Sequence, residues 1–266
     1  MASREHYTHG HHESVLRSHS WRTIANSAAY LSPHLTLGLS VLDVGCGPGT
    51  ITAELADRVG PDGSVLGIDA SAEVVALASD AQPRPNLTFA AGDVYAIDAA
   101  DDTYDIVHAH QVLQHLADPV AALREMRRVC RLGGIVAARD ADYSASAWFP
   151  GEKWMDRWLD LSLTIGRANG GEPDAGRRML SWAHEAGFTD VTPSAGVWCF
   201  ATPDDRNWWA GLWADRVTQS HLAEQAVEGG HATVEELSLM ADSWRAWASE
   251  PDAWFTVLHG EILARA

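Results

Sequence analysis

The chain reads as an α/β protein built on a mostly parallel sheet, and three observations predict it. From residue 40 to residue 140, short apolar runs alternate with helix-like stretches, the pattern of repeated strand-helix-strand units. The segment 41–50, VLDVGCGPGT, joins an apolar run to a turn with three glycines, a backbone that lets a ligand press on the main chain. Acids recur where the runs end, at Asp43, Asp69 and Asp93, and ligands of open α/β sheets bind outside the carboxyl ends of strands.

Residues 12–31 carry Val15, Leu16, Ile24, Ala28 and Leu31 near a helical period, with Pro33 as the boundary, so one helix is expected there. Strands are expected at 40–45, 64–69, 86–91, 104–110 and 134–140, with helices at 49–59, 71–80 and 118–131 among them. Beyond Asp140 the alternation stops. Residues 148–167 are amphipathic through Trp154, Met155, Trp158, Leu161, Leu163 and Ile165, until Gly170, Gly171 and Pro173 interrupt. Gly187 ends a further helix, and strands six and seven are read at 196–205 and 254–264, with a long helical stretch at 204–249. One domain over 1–266 follows, with an N-terminal segment 1–35, a core 36–140, and insertions 141–180 and 204–249 that fold into a helical cap.

With 266 residues the chain is long enough to bury a sizeable core, and its 46% hydrophobic content is ordinary. Only 19 basic residues face 36 acidic ones, a formal charge of −17. That balance argues against nucleic acid as a partner, because Lys and Arg neutralising phosphates supply most of such affinity. No apolar run approaches the roughly 20 residues of a membrane helix, and the opening MASREHYTHGHHES lacks the apolar stretch of a signal peptide. A cytoplasmic protein without membrane contact is therefore expected. Cys46, Cys130 and Cys199 are odd in number and far apart, which points to reduced thiols.

The glycines are spaced GxGxG and no Lys follows, unlike the turns that seat a pyrophosphate or a triphosphate. Asp43 at the strand end would repel an anion and suits a ligand with a positive centre. Asp69 closes VLGID, 65–69, and an acid about 20 residues past a glycine turn is spaced to meet ribose hydroxyls. LTFAAGDV (87–94), YDIVHAHQVLQHL (104–116) and RVCRLGGIV (128–136) follow in order. Together these segments resemble the class I S-adenosylmethionine-dependent methyltransferases, in particular the group with ubiquinone, menaquinone and natural-product tailoring enzymes. The resemblance covers residues 41 to about 140 and implies a Rossmann-like three-layer sandwich with seven strands ordered 3-2-1-4-5-7-6. It implies S-adenosyl-L-methionine as cofactor, with Asp69 and Ala70 at the ribose, and Gly92, Asp93 and the Val94 amide at the adenine. Asp43, Gly45, Cys46 and Gly47 of the turn, with His110 and Gln111 after strand four, would surround its methionine part. The N-terminal segment would lie over the cofactor as a lid, with Tyr7, His11, His12, Trp21 and Arg22 as candidates for closing it. Leu132 stands where the family usually has proline.

Methyl transfer from a sulfonium asks mainly for alignment and the removal of a proton. His has the unperturbed pKa nearest a neutral-pH base, and His110 ends strand four on the same face as His108. It is the first candidate for the base, a backbone-bonding or cofactor-positioning role being the equal alternative. His12, with His19, is the second candidate. His115 in the Leu-x-His segment is read as structural, and His259, mid-strand, as core. His6, His9, His11, His12 and His19 have no matching Cys or acidic ligands, so no metal is expected.

The 12 Trp outnumber the five Phe, and Trp148, Trp154, Trp158, Trp208, Trp209, Trp213, Trp244 and Trp247 fall in the insertions. Taken singly, each is core packing before pocket wall. As a set they suggest a small apolar or aromatic metabolite as acceptor. The runner-up readings are a cofactor-binding cyclase or rearrangement catalyst that transfers no methyl, and a nicotinamide-dependent dehydrogenase, which the glycine spacing disfavours. A homodimer is also among the expectations, since Trp-rich helical insertions often pack against a second copy.

Overall fold

The computed structural model describes residues 18–266, so the expectations placed on Tyr7 and on His6, His9, His11 and His12 lie outside the described residues. Seven strands form one sheet: β1 (Ser40–Val44), β2 (Ser64–Asp69), β3 (Leu87–Ala91), β4 (Tyr104–His110), β5 (Cys130–Phe149), β6 (Val191–Phe200) and β7 (Trp254–Arg265). Their order is β3-β2-β1-β4-β5-β7-β6, the order implied above. The first five pair in parallel, and β7 runs antiparallel to β5 and β6. Around the sheet lie α1 (Ile24–Ser27), α2 (Thr50–Val59), α3 (Ala72–Ala81), α4 (Pro119–Val129), α5 (Lys153–Ala168), α6 (Met179–Glu185), α7 (Pro203–Gln219), α8 (His221–Glu228) and α9 (Val234–Ser249).

Both faces of the central strands are buried, as a parallel sheet requires. Val41, Ile106, Ile135 and Ala137 meet α1 and α2 through Ile24, Leu55 and Val59. Leu42, Val107, Val136 and Ala138 point the opposite way, to Leu123 and Met126 of α4 and Met179 and Ala183 of α6. A third cluster joins α5, α7, α8 and α9 to β6 and β7. There Trp158, Trp213, Trp244 and Phe255 are wholly buried, with Trp158 set edge-on to Trp213 at 4.6 Å and to Trp244 at 4.9 Å between centroids.

Three expectations change. The single helix over 12–31 is broken in its described part, because Thr23 forms a capping box that starts a new helix. Its hydroxyl accepts the Asn26 N–H while the Asn26 side chain accepts the Thr23 N–H. Residues 141–149, expected to open a helical insertion, continue β5, because β7 pairs with both halves of it around a bulge between Asp142 and Ala147. Strand six lies at 191–200 rather than 196–205, since Thr202 caps α7 and Pro203 occupies its first turn. Leu132 is exposed, and its backbone N–H donates to Asp102 Oδ1 at 3.1 Å, a bond proline has no hydrogen to make. No helix among the described residues is long and apolar enough to cross a membrane.

Candidate active site

The carboxyl ends of β1, β2 and β4 open into a cleft of about 660 Å³. At its floor β1 turns into α2 through left-handed backbone, with φ of +66° at Gly45 and +54° at Gly47. A Cβ at Gly45 would overlap Val112 Cγ2, whereas one at Gly47 would find nothing nearer than His19 Nδ1 at 3.8 Å, so the Gly47 face is open. Half-buried Asp69 accepts the Gly47 N–H at 3.1 Å and the Ser71 N–H at 3.0 Å, one on each oxygen, which fixes the carboxylate beside the turn with lone pairs to spare. Ala70, Gly92, Asp93 and Val94 continue the same wall, and Asp93 is held by the Tyr95 N–H at 2.9 Å. Cys46 lines the cleft as well. Burial and the charges of Asp43 and Asp69 push its thiol pKa up, so it stays protonated.

Asp43 is buried behind the turn. One oxygen accepts the Thr52 hydroxyl at 2.6 Å and the other the His108 Nδ1 hydrogen at 2.7 Å. Both oxygens are engaged within the protein, so its charge reaches the cleft as a field rather than as an open contact.

At the other end His110 closes β4 on the cleft wall, only 5% exposed, and neither ring nitrogen has a hydrogen-bond partner among the described residues. Burial holds its pKa well below 6.5, and the charges of Arg22 and Arg139 add to this, so the ring is neutral. Gln111 beside it is one of two non-glycine residues with positive φ among the described residues, at +53°. Its backbone N–H donates to the Arg139 carbonyl at 2.7 Å, its Oε1 accepts from Arg22 at 2.5 Å, and its Nε2 donates to His259 Nε2 at 2.8 Å. An amide nitrogen only donates, so His259 carries its hydrogen on Nδ1 and gives it to the Val257 carbonyl at 3.1 Å. His259 is buried, as expected, yet it is tied to the cleft through Gln111. His115, read as structural, borders the cleft too, its pKa pushed down to about 3 by burial. Sequence reasoning missed the buried pair of Arg139 and Glu261, 3.1 Å apart on β5 and β7, which no motif marks.

None of the eight insertion tryptophans borders the cleft. Trp158, Trp209, Trp213, Trp244 and Trp247 are core residues, which removes the pocket-wall argument for an apolar acceptor. The segment from Ser18 to Arg22 reaches the cleft, and Ile24, Ala28 and Leu31 after it are core residues. Trp21 packs on Trp198 and Trp208, the Trp198 indole donates to the Asn26 carbonyl at 2.6 Å, and His19 and Arg22 enter the cleft lining. Among the described residues no three His, Cys, Asp or Glu side chains are grouped to hold a metal ion.

A family model described as a methyltransferase domain matches residues 35–181. An uncharacterized methyltransferase of Schizosaccharomyces pombe is 33% identical across 97% of this chain and 95% of its own. A demethylmenaquinone methyltransferase of Beutenbergia cavernae is 32% identical over 66% of this chain and 71% of its own. Among solved structures, phosphoethanolamine N-methyltransferase 2 of Haemonchus contortus, in complex with S-adenosyl-L-methionine, matches with a TM-score of 0.59. It covers 96% of this chain and 58% of that one at 13% identity, a likeness of fold alone. A relative aligned nearly end to end and the reversed seventh strand lead to the same family, and the chain belongs to the class I S-adenosylmethionine-dependent methyltransferases.

Proposed function

We propose that the protein transfers a methyl group from S-adenosyl-L-methionine to a small-molecule acceptor held between the glycine turn and the end of β4. The observation that carries this reading is the division of the cleft, with Asp69 fixed beside Gly47 at one end and, at the other, His110, whose nitrogens are unengaged among the described residues. The residues fit the cofactor. The open Gly47 face admits close approach to the main chain, Asp69 keeps lone pairs for a ribose diol, and Asp93 and the Val94 amide are assigned to the adenine. When bound, S-adenosylmethionine supplies an electrophilic methyl on a positively charged sulfur. The field of Asp43, braced by Thr52 and His108, favours a positive centre above the turn. His110 meets the acceptor as a neutral ring that donates through one nitrogen and accepts through the other, and His19 and Arg22 help to keep water out. The protein's main contribution is alignment of acceptor and methyl.

A calorimetric titration with S-adenosylhomocysteine tests this. The parent protein should bind at micromolar or better affinity and Asp69→Ala should abolish binding; no binding by the parent sinks the proposal. Incubation with methyl-labelled cofactor and a metabolite extract separates transfer from the cyclase reading, in which the label would reach no product.

A further inference from the structure

Behind the glycine turn a row of four residues crosses the central strands in register: Gly67 of β2, Asp43 of β1, His108 of β4 and Ala137 of β5. Residues in register share a face of the sheet, and here the outer two have no polar side chain, so Asp43 and His108 turn to each other and to Thr52 of α2. Asp43 is 3% exposed and His108 not at all. A carboxylate so enclosed is costly unless donors replace its water. The His108 Nδ1 hydrogen and the Thr52 hydroxyl are those donors, at 2.7 Å and 2.6 Å. The other ring nitrogen of His108, Nε2, has no hydrogen-bond partner among the described residues, and a second hydrogen there would be a buried donor without an acceptor. The three side chains therefore carry one net negative charge.

We propose that His108 is a positioning residue for the methyl donor: it keeps Asp43 a carboxylate beside the glycine turn, and through that charge raises the affinity for S-adenosylmethionine relative to S-adenosylhomocysteine. The inference rests on the methyl-transfer reading and gives a role to a residue that does not itself line the cleft. The two ligands share adenine, ribose and the amino-acid part, and differ by a methyl and a positive charge on sulfur. Asp69 and Asp93 are assigned to groups that both ligands carry. Asp43 borders the cleft with both oxygens already engaged, so it acts through its field, and a field weighs on the part in which the ligands differ. Without His108 the Asp43 carboxyl would keep only the Thr52 hydroxyl, and a buried carboxyl short of a donor takes up a proton instead. After transfer Asp43 faces a sulfur that has kept the electron pair of the broken bond and is neutral, so the charge that draws the donor in no longer holds the product.

The test is calorimetric titration with each of the two ligands, read as the ratio of their affinities, in which the groups they share cancel. Near neutral pH, His108→Leu should weaken S-adenosylmethionine about tenfold while S-adenosylhomocysteine stays within about threefold of the parent. As the pH is raised and Asp43 gives up its proton, the ratio in this variant should climb back toward the parent's. His108→Asn, whose amide can donate from the place of Nδ1, should keep a ratio close to the parent's, and Asp43→Asn, which keeps the size and lacks the charge, should lower it at every pH. The other titratable groups facing the pair are Tyr30 ahead of β1, Cys46 in the turn, Asp69 on β2 and His110 further along β4. Burial keeps the first two protonated and the last neutral, and all four are present in every variant. Equal losses of both ligands in His108→Leu, as a purely structural role would give, or a parental ratio in either His108→Leu or Asp43→Asn, would each overturn the proposal. Should the Leu variant fail to fold, Thr52→Val removes the other donor and should move the ratio the same way, a parental ratio again counting against the proposal. Failure of the parent to bind S-adenosylhomocysteine counts instead against methyl transfer itself.

Discussion

Gln111 holds a backbone conformation that crowds its own side chain, at a cost of roughly 1–3 kcal/mol, and it stays there because its surroundings over-determine it. Three hydrogen bonds, to Arg139, His259 and Arg22, meet on this one residue. Gln111→Leu should therefore destabilise the protein by about 1–3 kcal/mol, because it leaves the buried His259 Nε2 without a donor. Gln111→Gly, which relieves the backbone but loses the same amide, should fall between the parent and the Leu variant. Urea unfolding measures both, and a Leu variant as stable as the parent would remove the network from the account. At this scale the sequence is legible only where spacing along the chain determines the contact. Asp69 could be read from its distance to the glycine turn. The contact between Gln111 and His259 joins residues 148 apart, and only the strand order brings β7 close to the end of β4.

The turn from β1 into α2 carries the site as an element, and its glycines are not interchangeable. Gly45 has left-handed backbone and Val112 against its missing side chain; Gly47 has left-handed backbone and open space. Gly45→Ala should cost about 1 kcal/mol for the backbone and more for the overlap, with S-adenosylhomocysteine affinity falling as the turn shifts. Adding Val112→Ala should recover the overlap and leave the backbone cost, so thermal melts and titrations of the single and double variants separate the two. The core elements through β4 were legible because a short, mainly apolar run marks each strand and glycines or capping residues mark the ends. The long β5 was not, since the mixed run DADYSASAWF has no signal of its own and is strand because β7 pairs with it. The break before α1 was legible in principle, as Thr23 and Asn26 have the reach to cap each other, but the apolar period runs across it.

Across the whole molecule, burial of neutral histidines shapes the response to acid. His110, His115 and His259 are all held below the ordinary 6.5, so below that pH the unfolded chain takes up protons that the folded one refuses, and stability falls. Asp140 works in the opposite sense, because its pKa of about 7 in place of 3.8 lets the folded state keep a proton and gain stability as pH drops below 7. Among the described residues the three histidines outweigh Asp140 and predict a decline in stability below pH 6.5, by at most about 1.4 kcal/mol per pH unit for each uncompensated histidine. Urea midpoints through the acid range should show this decline, and His115→Gln should flatten it; equal midpoints at pH 7 and pH 5 would contradict the argument.

The acids gathered at the strand ends of an acidic protein also have a kinetic consequence. Within about 8 Å of the surface, the screening length at physiological salt, an approaching cation is attracted by a chain of charge −17 and by the cleft that holds Asp43, Asp69 and Asp93. Added salt should therefore slow the arrival of the cationic S-adenosylmethionine more than that of S-adenosylhomocysteine, which lacks the sulfonium charge, and stopped-flow measurements of kon for the two would show it.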